Sequence, residues 1–101
     1  MNPLVITCAP VGAEVRPDQT PYLPYTPQLL GETARAVREA GGSIIHVHCR
    51  NDDGTNTHSV ERFRDAYDAI RANSDRIVQF STGGAIGMTI ALKAKAMTAV
   101  T

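Results

Sequence analysis

The sequence predicts an α/β fold built on parallel strands, and three observations carry that expectation. Short β-branched runs alternate with amphipathic stretches in the order βαβαβ. Capping residues and glycines punctuate those stretches where helices should begin and end. The spacing between the apolar runs suits helical crossovers between parallel strands.

The first run, LVITCA at residues 4–9, is short and β-branched, which suits a buried strand. PVGAEVRPDQTPYLPYTP follows, a long proline-rich connection. Connections of that length in a domain are usually functional or disordered, and the prolines favour function because they reduce the entropy lost on ordering.

Thr26 and Pro27 predict a helix start, with a hydroxyl cap and a proline where the missing N–H costs nothing. Leu30, Ala34 and Val37 then share one face, and Gly41 with Gly42 closes the helix. Residues 43–48 form the second expected strand, and NDDGTNT carries turn chemistry around Asp53 and Gly54. Ser59 caps a second helix whose apolar face holds Phe63, Ala66, Tyr67 and Ile70. Residues 77–80 (IVQF) are a third strand opening into STGGAIG.

A chain of 101 residues with 43% hydrophobic content is globular and forms one domain at most. Ten basic side chains balance ten acidic ones, so nothing favours nucleic acid or an acidic membrane surface. The expected partner is a small molecule or a second copy of the chain. MNPLVITCAP lacks the basic start and long apolar stretch of a secretory signal, and no run approaches the ~20 apolar residues of a membrane span. A cytoplasmic location is expected, with Cys8 and Cys49 as buried thiols rather than a disulfide.

Right-handed crossovers between strands laid side by side put both helices on one face of the sheet. The other face is then bare, whereas parallel sheets are covered on both sides. The chain therefore reads as the opening section of a larger α/β protein, or as a piece that pairs with another chain. On its own it is expected to self-associate.

Alternation along the second strand sends His46 and His48 to one face with Ile44, and Ile45 and Val47 to the other. The aliphatic side should meet the helices. The histidines would then sit on the face away from them, at the C-terminal end of a parallel strand, where two imidazoles can reach one Zn²⁺ at ~2.0–2.1 Å. The plainer alternative is a polar strand end.

In the STGG turn, Ser81, Thr82, Gly83 and Gly84 can present backbone N–H groups and hydroxyls to a carboxylate or thioester oxygen, or can form an ordinary strand-to-helix turn. Glu14 reads alone as a solvated carboxylate. Its interest is position, because loops following successive parallel strands share a rim, where Glu14, the histidines and the STGG turn would converge.

TCAPVGAEVRPDQTPYLPYTPQ, AGGSIIHVHCRNDDG and FSTGGAIGMT together resemble the N-terminal third of the β-keto acid cleavage enzymes, over about residues 3–89. The resemblance implies the N-terminal βαβαβ portion of a (β/α)8 TIM barrel. It also implies zinc-dependent conversion of a β-keto acid, such as 3-keto-5-aminohexanoate, and acetyl-CoA into acetoacetate and an acyl-CoA.

By motif, His46 and His48 resemble zinc ligands, Ser81 and Gly84 substrate-binding positions with Thr82 and Gly83 between them, and Glu14 a pocket residue. A glutamate ligand, an acid–base aspartate and an arginine of the family have no counterpart in these residues, and the family is commonly homo-oligomeric.

Residues 88–101 form a tail that departs from the family pattern, ending in the basic, alanine-rich IALKAKAMTAVT. The alternative to the enzyme reading is an inactive truncated fragment retaining a partial metal site. Amidohydrolase barrels also use His-x-His, but on the first strand, and here it lies on the second.

Overall fold

The structure is a computed structural model that describes residues 2–81 and 83. Its elements are β1 (Thr7–Val11), α1 (Pro27–Glu39), β2 (Ile44–Val47), α2 (Val60–Asn73) and β3 (Ile77–Phe80). The strands form one sheet in the order β1-β2-β3, with both pairs parallel.

Both helices begin and end for local reasons. The Thr26 hydroxyl accepts from the Leu29 N–H at 3.2 Å, and Pro27 follows as the first helical residue. At the other end of α1, Gly41 takes a φ of 95°. Gly41 N–H donates to Arg38 O at 3.1 Å and Gly42 N–H to Val37 O at 2.9 Å, the paired bonds of a Schellman cap. Ser59 caps α2, its hydroxyl accepting from the Arg62 N–H at 3.4 Å.

Leu30 and Ala34 of α1 join Phe63, Ala66 and Ile70 of α2 in one buried cluster with Val11, Ile45 and Val47, and Val78 and Phe80 pack against it. Both helices therefore cover the same side of the sheet, as right-handed crossovers require. They approach closely at Gly31, where a Cβ would lie 2.8 Å from Ala69 O. Tyr67, expected in this face, is only half-buried, and its ring lies under the Arg71 guanidinium at 5.3 Å.

The first strand is displaced from the apolar run that predicts it. β1 covers Thr7–Val11 rather than 4–9, and Leu4 and Val5 are 79% and 68% exposed. Thr7 and Cys8 pair with Ile44 and Ile45, the register then shifts, and Val11 pairs with Val47. Pro10 lies in that shift, where a residue without an N–H does least harm to the ladder.

Cys49 is buried as expected, whereas Cys8 is half-buried because β1 is an edge strand. The second strand is shorter than 43–48. Ser81 N–H closes the ladder on Val47 O at 2.9 Å, and beyond it Cys49 O accepts from Thr57 N–H at 3.1 Å, so the chain turns to pair with its own returning loop.

Thr82, Gly84 and the tail at 88–101 lie outside the described residues. Among the described residues, no helix is long and apolar enough to cross a membrane.

Candidate active site

Alternation on β2 separates the two chemistries as expected. Ile45 and Val47 are fully buried against the helices, while His46 and His48 are half-buried on the opposite face. Their ring centroids lie 5.4 Å apart at an interplanar angle of 70°.

His46 and Gln79 are register partners across the β2–β3 pair. His46 Nδ1–H donates to Gln79 Oε1 at 2.8 Å, which leaves Nε2 as the nitrogen carrying the lone pair. Burial holds the His48 pKa below the usual imidazole value, reinforced by the positive charges of His46, Arg50 and His58. A neutral imidazole is the form that ligates a metal. Among the described residues no group of three or more His, Cys, Asp or Glu gathers in a metal-holding arrangement. His46 and His48 thus offer two donors of a larger set.

Arg50 continues the alternation that places the histidines, and its importance is invisible in the residue type alone. It is 2% exposed and donates to three main-chain carbonyls: Gly54 at 2.7 Å, Gly12 at 2.6 Å and Val15 at 2.9 Å. Burial lowers its pKa, and the Glu14 carboxylate opposes that shift. The guanidinium thereby ties the long loop after β1 to the turn after β2.

That turn is fixed in its own right. Asp53 Oδ1 accepts from the Thr55 N–H at 3.0 Å and hydroxyl at 2.6 Å, which lowers the Asp53 pKa. Gly54 takes a φ of 88°, and a Cβ there would collide with the Pro17 ring. Asn56 Nδ2 adds a bond to Ala13 O at 2.9 Å.

Glu14 is exposed on the rim of a cleft of about 730 Å³ that it shares with Arg50 and Asp53. Neither histidine is among the residues lining that cleft. The structure therefore brings Glu14 to Arg50, and Arg50 in turn acts on His48.

Ser81 is 7% exposed, with its N–H bound to Val47 one residue before His48. Its hydroxyl accepts from the Gly83 N–H at 3.1 Å, so that amide is engaged within the turn.

Two residues of this region are not apparent in one-dimensional reading. Gln79 has a weak signal as the polar member of an otherwise apolar strand. Arg50 has a stronger one, as the third residue in His-x-His-x-Arg.

Comparison with known proteins places these motifs. The chain is 50% identical over 90 residues to the 3-keto-5-aminohexanoate cleavage enzyme of Acetoanaerobium sticklandii, covering 88% of this chain and 33% of that enzyme. It has the same identity and coverage against the 3-keto-5-aminohexanoate cleavage enzyme of Fusobacterium nucleatum. It is 42% identical over 93 residues to the 3,5-dioxohexanoate:acetyl-CoA acetone transferase of Paraburkholderia graminis, covering 91% of this chain and 30% of the relative. The chain thus spans about a third of the length of these curated relatives. Since residues 3–101 also match the family as a whole, through the HVH strand and the STGG turn alike, this chain belongs to the beta-keto acid cleavage enzymes.

Proposed function

We propose that this chain carries the metal-binding strand and part of the substrate pocket of a zinc-dependent β-keto acid cleavage enzyme. The enzyme converts a β-keto acid and acetyl-CoA into acetoacetate and the CoA ester of the remaining acyl fragment. The observation that carries the reading is the pair His46 and His48 on the helix-free face of β2, with His46 Nε2 left as a donor by the bond to Gln79. The names of the relatives, which specify keto-acid cleavage and acetyl-CoA transfer, supply the substrate class.

His46 and His48 would hold zinc as neutral nitrogen donors, and the set would need a carboxylate that neither groups with them among the described residues nor occurs in residues 82–101. Zinc bound there supplies Lewis-acid polarisation of the keto oxygen. The chain's own residues orient the substrate. Ser81 and Gly83 follow β3 with both backbone N–H groups already bound, so the Ser81 hydroxyl is the donor they would offer to a carboxylate or thioester oxygen, and Thr82 and Gly84 are further candidate substrate-binding positions by motif. Glu14 favours a substrate whose tail is cationic or donates hydrogen bonds.

Arg50 holds the loop that presents Glu14. Three parallel strands with helices on one face support reading this chain as the start of a (β/α)8 barrel, whose active site would form at the C-terminal strand ends. The assembled enzyme is soluble, cytoplasmic and homo-oligomeric.

The test is to incubate the chain with zinc, acetyl-CoA and a panel of β-keto acids beside a full-length relative. Acetoacetate formation by the chain would mean that its residues suffice for the reaction. Activity confined to the relative would overturn catalysis by this chain and leave the reading of a fragment that retains a partial metal site.

A further inference from the structure

We propose that Gln79 is a positioning residue for the metal site, fixing His46 in the tautomer that presents Nε2. The inference rests on the reading that His46 and His48 hold a metal, and it adds which His46 nitrogen binds and what selects it.

Three observations converge on Gln79. The β2–β3 register puts His46 directly beside it, as Val47 stands beside Phe80. The burial pattern of β3 sends Gln79 to the same side as exposed Ile77, away from Val78 and Phe80, and therefore to the side that carries the imidazoles. The side-chain amide then meets Nδ1 at 2.8 Å.

An amide oxygen has no proton to give, so the shared proton belongs to Nδ1. The remaining lone pair is on Nε2, and the ring is held from the neighbouring strand rather than by its own backbone. Ligating imidazoles are usually secured through the nitrogen that does not bind the metal, and loss of such a partner typically weakens metal binding about 10–100-fold. His48 stacks edge-on to the same ring, so fixing His46 also fixes the pair's spacing.

Gln79 is solvent-exposed, and its replacement leaves the buried cluster intact. The experiment compares the parent chain with Gln79→Leu and Gln79→Glu, each labelled with ¹⁵N. Long-range ¹H–¹⁵N spectra of the metal-free chains at about pH 8, where histidine is largely neutral, report the His46 tautomer. Titration with zinc, and with cobalt for its visible absorption, reports binding.

The parent is expected to show His46 protonated at Nδ1. Gln79→Leu should move the proton towards Nε2, weaken zinc binding about 10–100-fold and alter the cobalt spectrum. Gln79→Glu, which keeps an acceptor, should restore the Nδ1–H tautomer and most of the affinity. Zinc binding by the parent with unchanged tautomer or affinity in Gln79→Leu overturns the role of Gln79 alone. A parent chain that binds no zinc overturns metal retention by these two histidines in this chain, and the tautomer comparison then decides the role of Gln79 alone.

Discussion

The two sides of β2, continued by one residue to His48, carry opposite chemistry. Ile45 and Val47 are fully buried beneath α1 and α2, whereas His46 and its neighbour His48 remain half-buried on the side the helices leave open. The sealed side supplies stability through apolar burial, worth about 1.5–3 kcal/mol for each such side chain. The open side supplies donors. Period-two alternation lets the strand do both, and it follows that mutations on the two sides should separate folding from chemistry.

The largest effect is expected on the sealed side. Phe63 is 1% exposed, with its ring 4.8 Å from Phe80 and 5.6 Å from His58. Phe63→Ala should cost about 3–5 kcal/mol, a large part of the stability of a small domain. Urea unfolding measures this directly, and a loss below about 1 kcal/mol would break the assignment of this side as the source of stability.

A smaller loss is expected where the two loops join. Arg50→Met removes the donors from Gly12, Val15 and Gly54 carbonyls. Leaving buried acceptors unsatisfied should cost about 1–3 kcal/mol. The local signature is faster amide exchange around residues 12–18 and 51–56. Unchanged exchange there would show that the loops are held by other contacts, such as Asn56 to Ala13.

On the open side the two readouts should part company. His46→Ala and His48→Ala are each expected to change stability by only about 0.5–1 kcal/mol, because both rings are half-buried and neither belongs to the core cluster. Zinc retention, measured after dialysis, should be lost in both. Equal zinc content in variant and parent would exclude the residue as a ligand. A loss of stability as large as that of Phe63→Ala would erase the distinction between the two sides.

This contrast also explains what could be read from the sequence. Helix starts were legible at Thr26-Pro27 and Ser59 because a cap is a local interaction. The HVH orientation was legible because alternation requires no knowledge of the partner strand. The bounds of β1 are not legible, because apolarity marks a run as fit for burial, while pairing with β2 decides which part of it enters the sheet.

The partners of Gln79 and Arg50 are illegible in the sequence for the same physical reason. One depends on a register partner 33 residues away, the other on carbonyls up to 38 residues away, and neither separation leaves a local pattern. Glu14 lies on the loop after β1, where its charge acts on Arg50.

The smallest effect is expected at Cys49, and it is silent at neutral pH. This thiol lies in the core cluster at 3% exposure, and burial raises its pKa to about 12, with the Arg62 charge opposing. Below about pH 7.5, well under the ordinary thiol pKa of about 8.5, the thiol is neutral in both folded and unfolded chains, so its titration contributes nothing to the pH dependence. As pH rises from about 8 towards 12, the unfolded chain releases this proton while the folded chain retains it, and stability falls. Cys49→Ala should remove that component of the alkaline loss, at the cost of a small cavity.

Cys8 provides the internal comparison, since it is half-buried on the edge strand. Alkylation with iodoacetamide should modify Cys8 in the folded chain and reach Cys49 only on unfolding, because attack requires both an exposed sulfur and its thiolate. Equal labelling rates would mean that the sealed side opens to solvent well before the domain unfolds, and the separation between the two sides of β2 would then hold only for the time-averaged structure.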